Sequence, residues 1–395
     1  MKPIFMVLMF VSASLAGCLS SDESTSSQVE AIFDFEPSNN IRTNMDITFD
    51  GGASLSSDGG LTYKWDFEND GAYDETGRTA TWSYANAGEY EVTLTVSDGT
   101  NSNSQTRKLK VADADAQAPE ADAGSYSPSS DCEGNSVNSG SYYLVYICEM
   151  DKSTSSKSIM ATTTVTLDAS ASEPCEDPNE PCDDYISEYN WDLNLLRDED
   201  GDGDSENDAD LTGETVDWKE VEPGEYKISL TVINGQGLTS TDDVTVNVNY
   251  IGKWSDFSIG GNNSNSPIDI EFSFPSSQDT TSGNTIKRAE GILVYPKEDG
   301  DCTSIPGANN CRAKLDLYGF NSTDEEVAGN TSAIPLEQRS YGDCDSDTDC
   351  VYQSWSGTYQ FSENYWKDGE WTMTIRNEKI NDLEIESLTI RLLYR

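Results

Sequence analysis

Hydrophobic and polar residues alternate strictly along one stretch that occurs twice. In the first copy Tyr90, Val92, Leu94 and Val96 face one way and Glu91, Thr93 and Thr95 the other, directly after Gly88-Glu89. The second copy repeats the pattern with Tyr226, Ile228, Leu230 and Val232 after Gly224-Glu225. A period of two in β-branched and aromatic residues predicts a half-buried strand. Upstream of each copy stands Tyr63-Lys64-Trp65-Asp66 or Tyr189-Asn190-Trp191-Asp192, whose indole suits a sandwich core. Earlier still come a strand and a turn of small residues, Ile47-Thr48-Phe49-Asp50 to Ser54 and Val165-Thr166-Leu167-Asp168 to Ser172. From Trp65 to Gly88 the interval is 23 residues, and from Trp191 to Gly224 it is 33, so the second copy carries ten extra residues in one loop. Ordered self-similarity of this kind marks a repeat, and short alternating strands between turn signals predict all-β sandwiches.

These spaced motifs, D-x-x-x-S, then Y-x-W-D, then GEY-x-[VI]-x-L-x-V, resemble the PKD (polycystic kidney disease-type) domain over residues 29–113 and 118–250. The resemblance implies immunoglobulin-like β-sandwiches of the kind found in extracellular adhesins and as accessory modules of secreted enzymes. Two departures stand out in the second copy, an insertion at 131–160 and an enlarged loop at 194–215. After Val248 the pattern changes. Strands are predicted over Ile268–Phe274 and Ala313–Gly319, with closing strands over Glu370–Arg376 and Glu384–Leu392 and a polar turn between them. From Asp368 onward this is similar to the end of the P domain (proprotein-convertase type), which implies a jelly-roll-like sandwich for 251–395. The expected fold is therefore all-β: tandem immunoglobulin-like (PKD) sandwiches followed by a jelly-roll-like one.

The N-terminus has one lysine, an apolar run from Ile4 to Val11 and small residues up to Cys18, the makeup of a secretory signal. Leu15-Ala16-Gly17-Cys18 resembles the lipobox of prokaryotic lipoproteins, which implies cleavage before Cys18 and lipid on its sulfur. Residues 19–28 then read as a polar tether. The other eight cysteines fall in near-neighbour pairs, Cys132 with Cys148, Cys175 with Cys182, Cys302 with Cys311 and Cys344 with Cys350, as expected of disulfides in an exported chain. Asn262, Asn321 and Asn330 head glycosylation sequons, in a composition where chance matches are common.

Charge narrows the function. A net charge of −48 repels nucleic acid and anionic membranes, leaving lipid as the only membrane contact expected. The chain has no histidine, which removes Ser-His-Asp and Cys-His catalysis and all His-ligated metal sites. Dense carboxylates favour a hard cation instead. Asp198, Asp200, Asp202, Asp204, Glu206, Asp208 and Asp210, with glycines between them, offer oxygen ligands at the alternate spacing calcium takes. The run resembles the first half of an EF-hand loop but has Ala209 where a bidentate Glu belongs. Asp66, Glu68, Asp70 and Asp74 form a sparser version in the first copy, where Asp66 also suits a simple turn hydrogen bond. A third cluster, Asp343, Asp345, Asp347 and Asp349, lies beside its own cysteine pair.

Trp355, Tyr359, Tyr365, Trp366 and Trp371 offer either a sugar-stacking platform or sandwich core. The expectation is a non-catalytic, lipid-anchored surface protein that binds or spaces, with extracellular protein or polysaccharide as partner and calcium in its loops. Two alternatives stay open: an accessory substrate-binding component of extracellular degradation, and a divergent carboxylate-dependent hydrolase in 251–395.

Overall fold

The computed structural model describes residues 29–57, 59–138, 140–197, 208–261, 266–276, 286–298, 311–327, 329–342, 344–356 and 369–395. Among the described residues the elements are strands, with a short 3-10 turn at Leu336–Gln338. Contacts divide the chain into two compact units, one built from residues up to 109 and the other essentially from 110 onward.

The first unit contains β1 (Val29–Glu30), β2 (Asp34–Glu36), β3 (Ile47–Asp50), β4 (Leu55–Ser56), β5 (Thr62–Asp66), β6 (Glu75–Thr76), β7 (Thr79–Trp82), β8 (Gly88–Ser97) and β9 (Ser102–Val111). Two sheets, β2-β3-β7 and β6-β5-β8-β9, make the sandwich. The alternation in β8 turns Val92, Leu94 and Val96 inward, where they are fully buried, and leaves the threonines between them half-exposed. Phe33, Phe49 and Phe67 surround Trp65, with Phe33 edge-on to the indole at 5.2 Å.

The second unit begins with β10 (Tyr143–Lys152), β11 (Thr163–Asp168), β12 (Ile186–Asp192), β13 (Leu211–Thr212), β14 (Thr215–Val221) and β15 (Gly224–Asn234). Next comes β16 (Thr239–Ile259), a single strand of 21 residues. At about 3.3 Å per residue it runs for about 70 Å. It is followed by β17 (Ile268–Ser276), β18 (Arg288–Pro296), β19 (Leu315–Phe320), β20 (Thr348–Ser356), β21 (Gly369–Asn377) and β22 (Leu383–Leu393).

The domain boundary expected at 250/251 falls inside β16. Residues 239–248 of β16 pair with β15, completing the second repeat, and residues 250–259 pair on the same edge with β22. The opposite edge carries β10, in parallel, from Val246 to Trp254. The insertion at 131–160 is therefore a splint laid across the point where one sandwich passes into the next. A left-handed backbone at Asp256 (φ 54°) shifts the alternation, so that Trp254 and then Phe257 and Ile259 all turn toward the core.

The C-terminal sandwich sets β16, β22, β18 and β20 against β17-β21-β19. Both segments expected to form strands upstream do so, and both closing strands form. The closing strands lie in opposite sheets, and the polar turn between them arches across. Asn377 holds this arch by donating to the carbonyls of Gly260 and Asn381. Trp355 and Trp371 are buried in the core at a centroid distance of 6.2 Å, which makes them packing residues rather than a surface platform. Gly319 lets Trp355 approach, since a Cβ there would lie 1.6 Å from the indole. Tyr359, Tyr365 and Trp366 lie outside the described residues.

Candidate functional site

The acidic turn of each repeat is built the same way. In the first, Asp66 is buried, and its two carboxylate oxygens accept from the backbone N–H groups of Asp70 and Gly71. Asp74 accepts from Phe67 N–H at 2.8 Å, and Asp70 accepts from Ala72 N–H. In the second repeat Asp210 takes the role of Asp74, and Asp192 stands where Asp66 does but caps an amide only two residues on. Asp192 accepts from Asn194 N–H at 2.7 Å, and Asp210 accepts from Leu193 N–H at 2.7 Å. The indole N–H of Trp65 donates to Gly77 O, and that of Trp191 to Gly213 O. Both glycines have φ near +130°, a conformation that side chains other than glycine rarely adopt.

This correspondence locates the ten extra residues between Asp192 and Asp210. Asp66, Asp74 and Asp210 thus fix turn backbone, each carboxylate satisfying N–H groups that would otherwise lack a partner. Glu68 is exposed and Asp208 is buried. Asp198, Asp200, Asp202, Asp204 and Glu206 lie outside the described residues, as do Cys18, Asn262 and Cys302. Among the described residues no three Asp, Glu, Cys or His side chains converge as a metal site.

The D-x-x-x-S motif closes a second reciprocal clamp. Ser54 Oγ accepts from Ile32 N–H and donates to Ile32 O, and Ser172 Oγ does the same with Asp122. Each serine thereby ties the entering chain to its sandwich. The sequence displayed the serines but not their partners, which carry no motif of their own.

Among the described residues three disulfides are complete, Cys132–Cys148, Cys175–Cys182 and Cys344–Cys350. Cys311 is also disulfide-bonded. The third acidic cluster is only partly a loop: Asp349 and Cys350 belong to β20. Asp349 is buried and pairs with Arg312 at 2.8 Å. Burial pushes its carboxyl above the usual range, against the pull of the Arg312, Lys297 and Arg339 charges. Beside it Arg339, wholly buried, donates to Asp316, Tyr295 Oη and the carbonyls of Leu315, Thr331 and Ile334, pinning the 331–339 segment to β19. Asn321 is buried too. Its amide donates to Glu325, while the amide of Asn330 reaches Glu326 from a less enclosed position.

At the junction, Glu149 of the splint accepts from Tyr250 Oη at 2.6 Å and from Lys152. Burial alone would raise the Glu149 carboxyl, but these two donors outweigh it and hold it below the ordinary range. The Lys152 ammonium lies 5.5 Å from the Trp254 ring, and the indole N–H of Trp254 donates to Ser156 O. Beyond it Ile159 N–H donates to Ser273 O of β17 in the opposite sheet, and Ser273 N–H donates to Lys157 O. The inserted segment is thus fastened to both sheets of the C-terminal sandwich.

Repeated immunoglobulin-like sandwiches with a buried Trp-Asp turn and a reciprocal serine clamp on the entering chain define the class of this chain. Residues 29–112 match the PKD domain, and residues 153–248 match a second family description that is likewise a PKD domain. The chain thus carries two PKD domains.

The PKD1 domain of the metalloprotease PrtV from Vibrio cholerae is 35% identical over 20% of this chain and 93% of that one, with a TM-score of 0.17. The PKD1 domain of Epp from Vibrio anguillarum is 32% identical over 22% and 95%, with a TM-score of 0.18. SGBP-B of Bacteroides ovatus, solved with a mixed-linkage heptasaccharide, is 11% identical over 95% and 98%. Its TM-score of 0.17 carries no argument about ligand. No curated protein matches the chain.

Proposed function

We propose that this chain is a non-catalytic exported protein that presents a rigid binding body at the cell surface. The observation that carries this reading is β16, shared by two sandwiches and splinted by β10 across their junction. A flexible linker would let the domains search, whereas a common strand with ladders on both edges holds them as one piece. The PKD domains and the disulfides favour an oxidising, extracellular setting.

In this proposal Cys18 carries the lipid, residues 19–28 are the tether, and the partner is an extracellular protein or polysaccharide. The C-terminal sandwich is read as P-domain-like on its closing strands. Calcium is assigned to the acidic run from Asp198 to Asp210, on the density of its carboxylates. Cys18→Ser is expected to release the protein from membranes and to abolish labelling by a fatty-acid probe.

Rigidity is tested by spin labels on non-cysteine unnatural residues at Glu188 and Lys379, both exposed. Pulsed EPR should give one narrow distance distribution. A broad one would show that the two sandwiches move independently and would remove the presenting role.

A further inference from the structure

On the outer face of the shared sheet, next to the splint, a cavity of 550 Å³ is lined by Thr245 and Asn247 of β16 and Glu225 of β15. Lys287, Tyr394 and Arg395 also line it, together with the Gly140–Tyr142 segment of the insertion. Asn247 and Glu225 are register partners, so their side chains stand side by side. Val246 and Val248 point the other way, into the core.

Asn247 is 2% exposed, and its amide Nδ2 has no hydrogen-bond partner. A buried amide donor without an acceptor is disfavoured unless something else supplies one. Its neighbours Glu225 and Lys287 form an ion pair at 2.8 Å. The Arg395 guanidinium lies over the Tyr142 ring at 3.4 Å, and Tyr394 is fixed by its N–H donating to Asn249 Oδ1.

We propose that this cavity is a subsite for a neutral hexose residue of a glycan. Charges of both signs line it, so a carboxylate or phosphate would face Glu225 and a cation would face Lys287 and Arg395. A sugar hydroxyl both donates and accepts. It can therefore take the stranded Asn247 N–H while giving its own proton to Glu225, with Lys287 donating to a neighbouring oxygen. A few fixed polar groups with two tyrosines among the lining residues, in a concavity of this size, suit one such ring. The assignment deepens the binding role proposed above by naming a ligand class, and it stands or falls separately from the rigidity of the body.

The test uses residues 29–395 and calorimetric titration with glucose, mannose and galactose, and with their α-1,4- and β-1,4-linked tetrasaccharides. At least one probe is expected to saturate below 10 mM. Asn247→Leu, which keeps the volume and removes the donor, should weaken it at least tenfold. Lys287→Met, at a half-exposed position that does not threaten folding, should weaken it severalfold. A response to a monosaccharide would place the whole ligand in the cavity, and a response only to a tetrasaccharide would make the cavity one subsite of a longer groove. If no probe binds at 10 mM, or if binding survives both substitutions unchanged, the proposal is overturned. A rise in melting temperature in Asn247→Leu with no effect on any probe would equally reduce the amide to a packing defect.

Discussion

Trp65 and Trp191 sit in the same hydrogen-bonded frame, each indole donating to a glycine carbonyl below an aspartate-capped turn. What surrounds them differs. The last strand of the first PKD domain, β9, is the edge of a four-stranded sheet, while its counterpart in the second runs on as the spine of another sandwich. One PKD framework thus serves once as a self-contained core and once as half of a larger one, whose buried residues run continuously from Ala123 to Tyr394. The difference lies outside the repeat motif, in the segment before β11 and in the continuation after Val248.

The strongest way to break this comparison is to hollow out both cores. Trp65→Ala and Trp191→Ala should each cost about 3–5 kcal/mol. Calorimetry on residues 29–395 should show Trp65→Ala lowering one transition and leaving the other in place. Trp191→Ala should lower the transition of the second PKD domain and the C-terminal sandwich together. Separate melting of those two in Trp191→Ala would contradict a shared core.

A smaller effect isolates the splint. The folded carboxyl of Glu149 lies below its unfolded value, so its contribution is present above the unfolded pKa and is lost as pH falls through the folded one. Glu149→Gln should melt about 2 °C lower at pH 7, with the gap closing below pH 4. A gap that persists at low pH would assign the loss to packing instead of charge.

The smallest effect concerns the ten extra residues. Without calcium, deleting 198–207 should change stability by less than about 1 kcal/mol, because the length of a connection alters its closure entropy only slightly. With calcium present, the proposal for that run requires the intact chain to gain melting temperature and the deleted chain to gain none.

Much of this fold was legible in the chain, and the reasons are local. Alternation in β8 and β15 and the Trp-Asp pairs specified both PKD sandwiches, because one face of each strand is solvated and the other buried. The sequence marks β10 only as an insertion. Its run Tyr143-Leu-Val-Tyr-Ile-Cys148 pairs in parallel with a strand about a hundred residues away, which no local period reveals. β18 has no alternation to read because Ile292-Leu-Val-Tyr295 is a continuous apolar run, and the acidic, cysteine-bearing start of β20 has the composition of a loop. The junction cavity was invisible for a similar reason: Glu225, Asn247, Lys287 and Arg395 meet only once two sandwiches share a strand. The acidic turns show the converse. Their composition points to cations, and the structure adds what composition does not show, that Asp66, Asp74 and Asp210 accept from backbone amides as an Asp at a tight turn can.

The shared strand also has a mechanical consequence. Load applied along β16 is carried by covalent backbone straight through both sandwiches, with no linker to stretch first. To yield, the chain must shear the ladders to β15, β22 and β10, whose hydrogen bonds lie across the pull and act in parallel. Ladders loaded in that direction resist together, whereas a hairpin peeled from its end gives way one rung at a time. A body built this way passes tension from one sandwich to the next along β16 without lengthening.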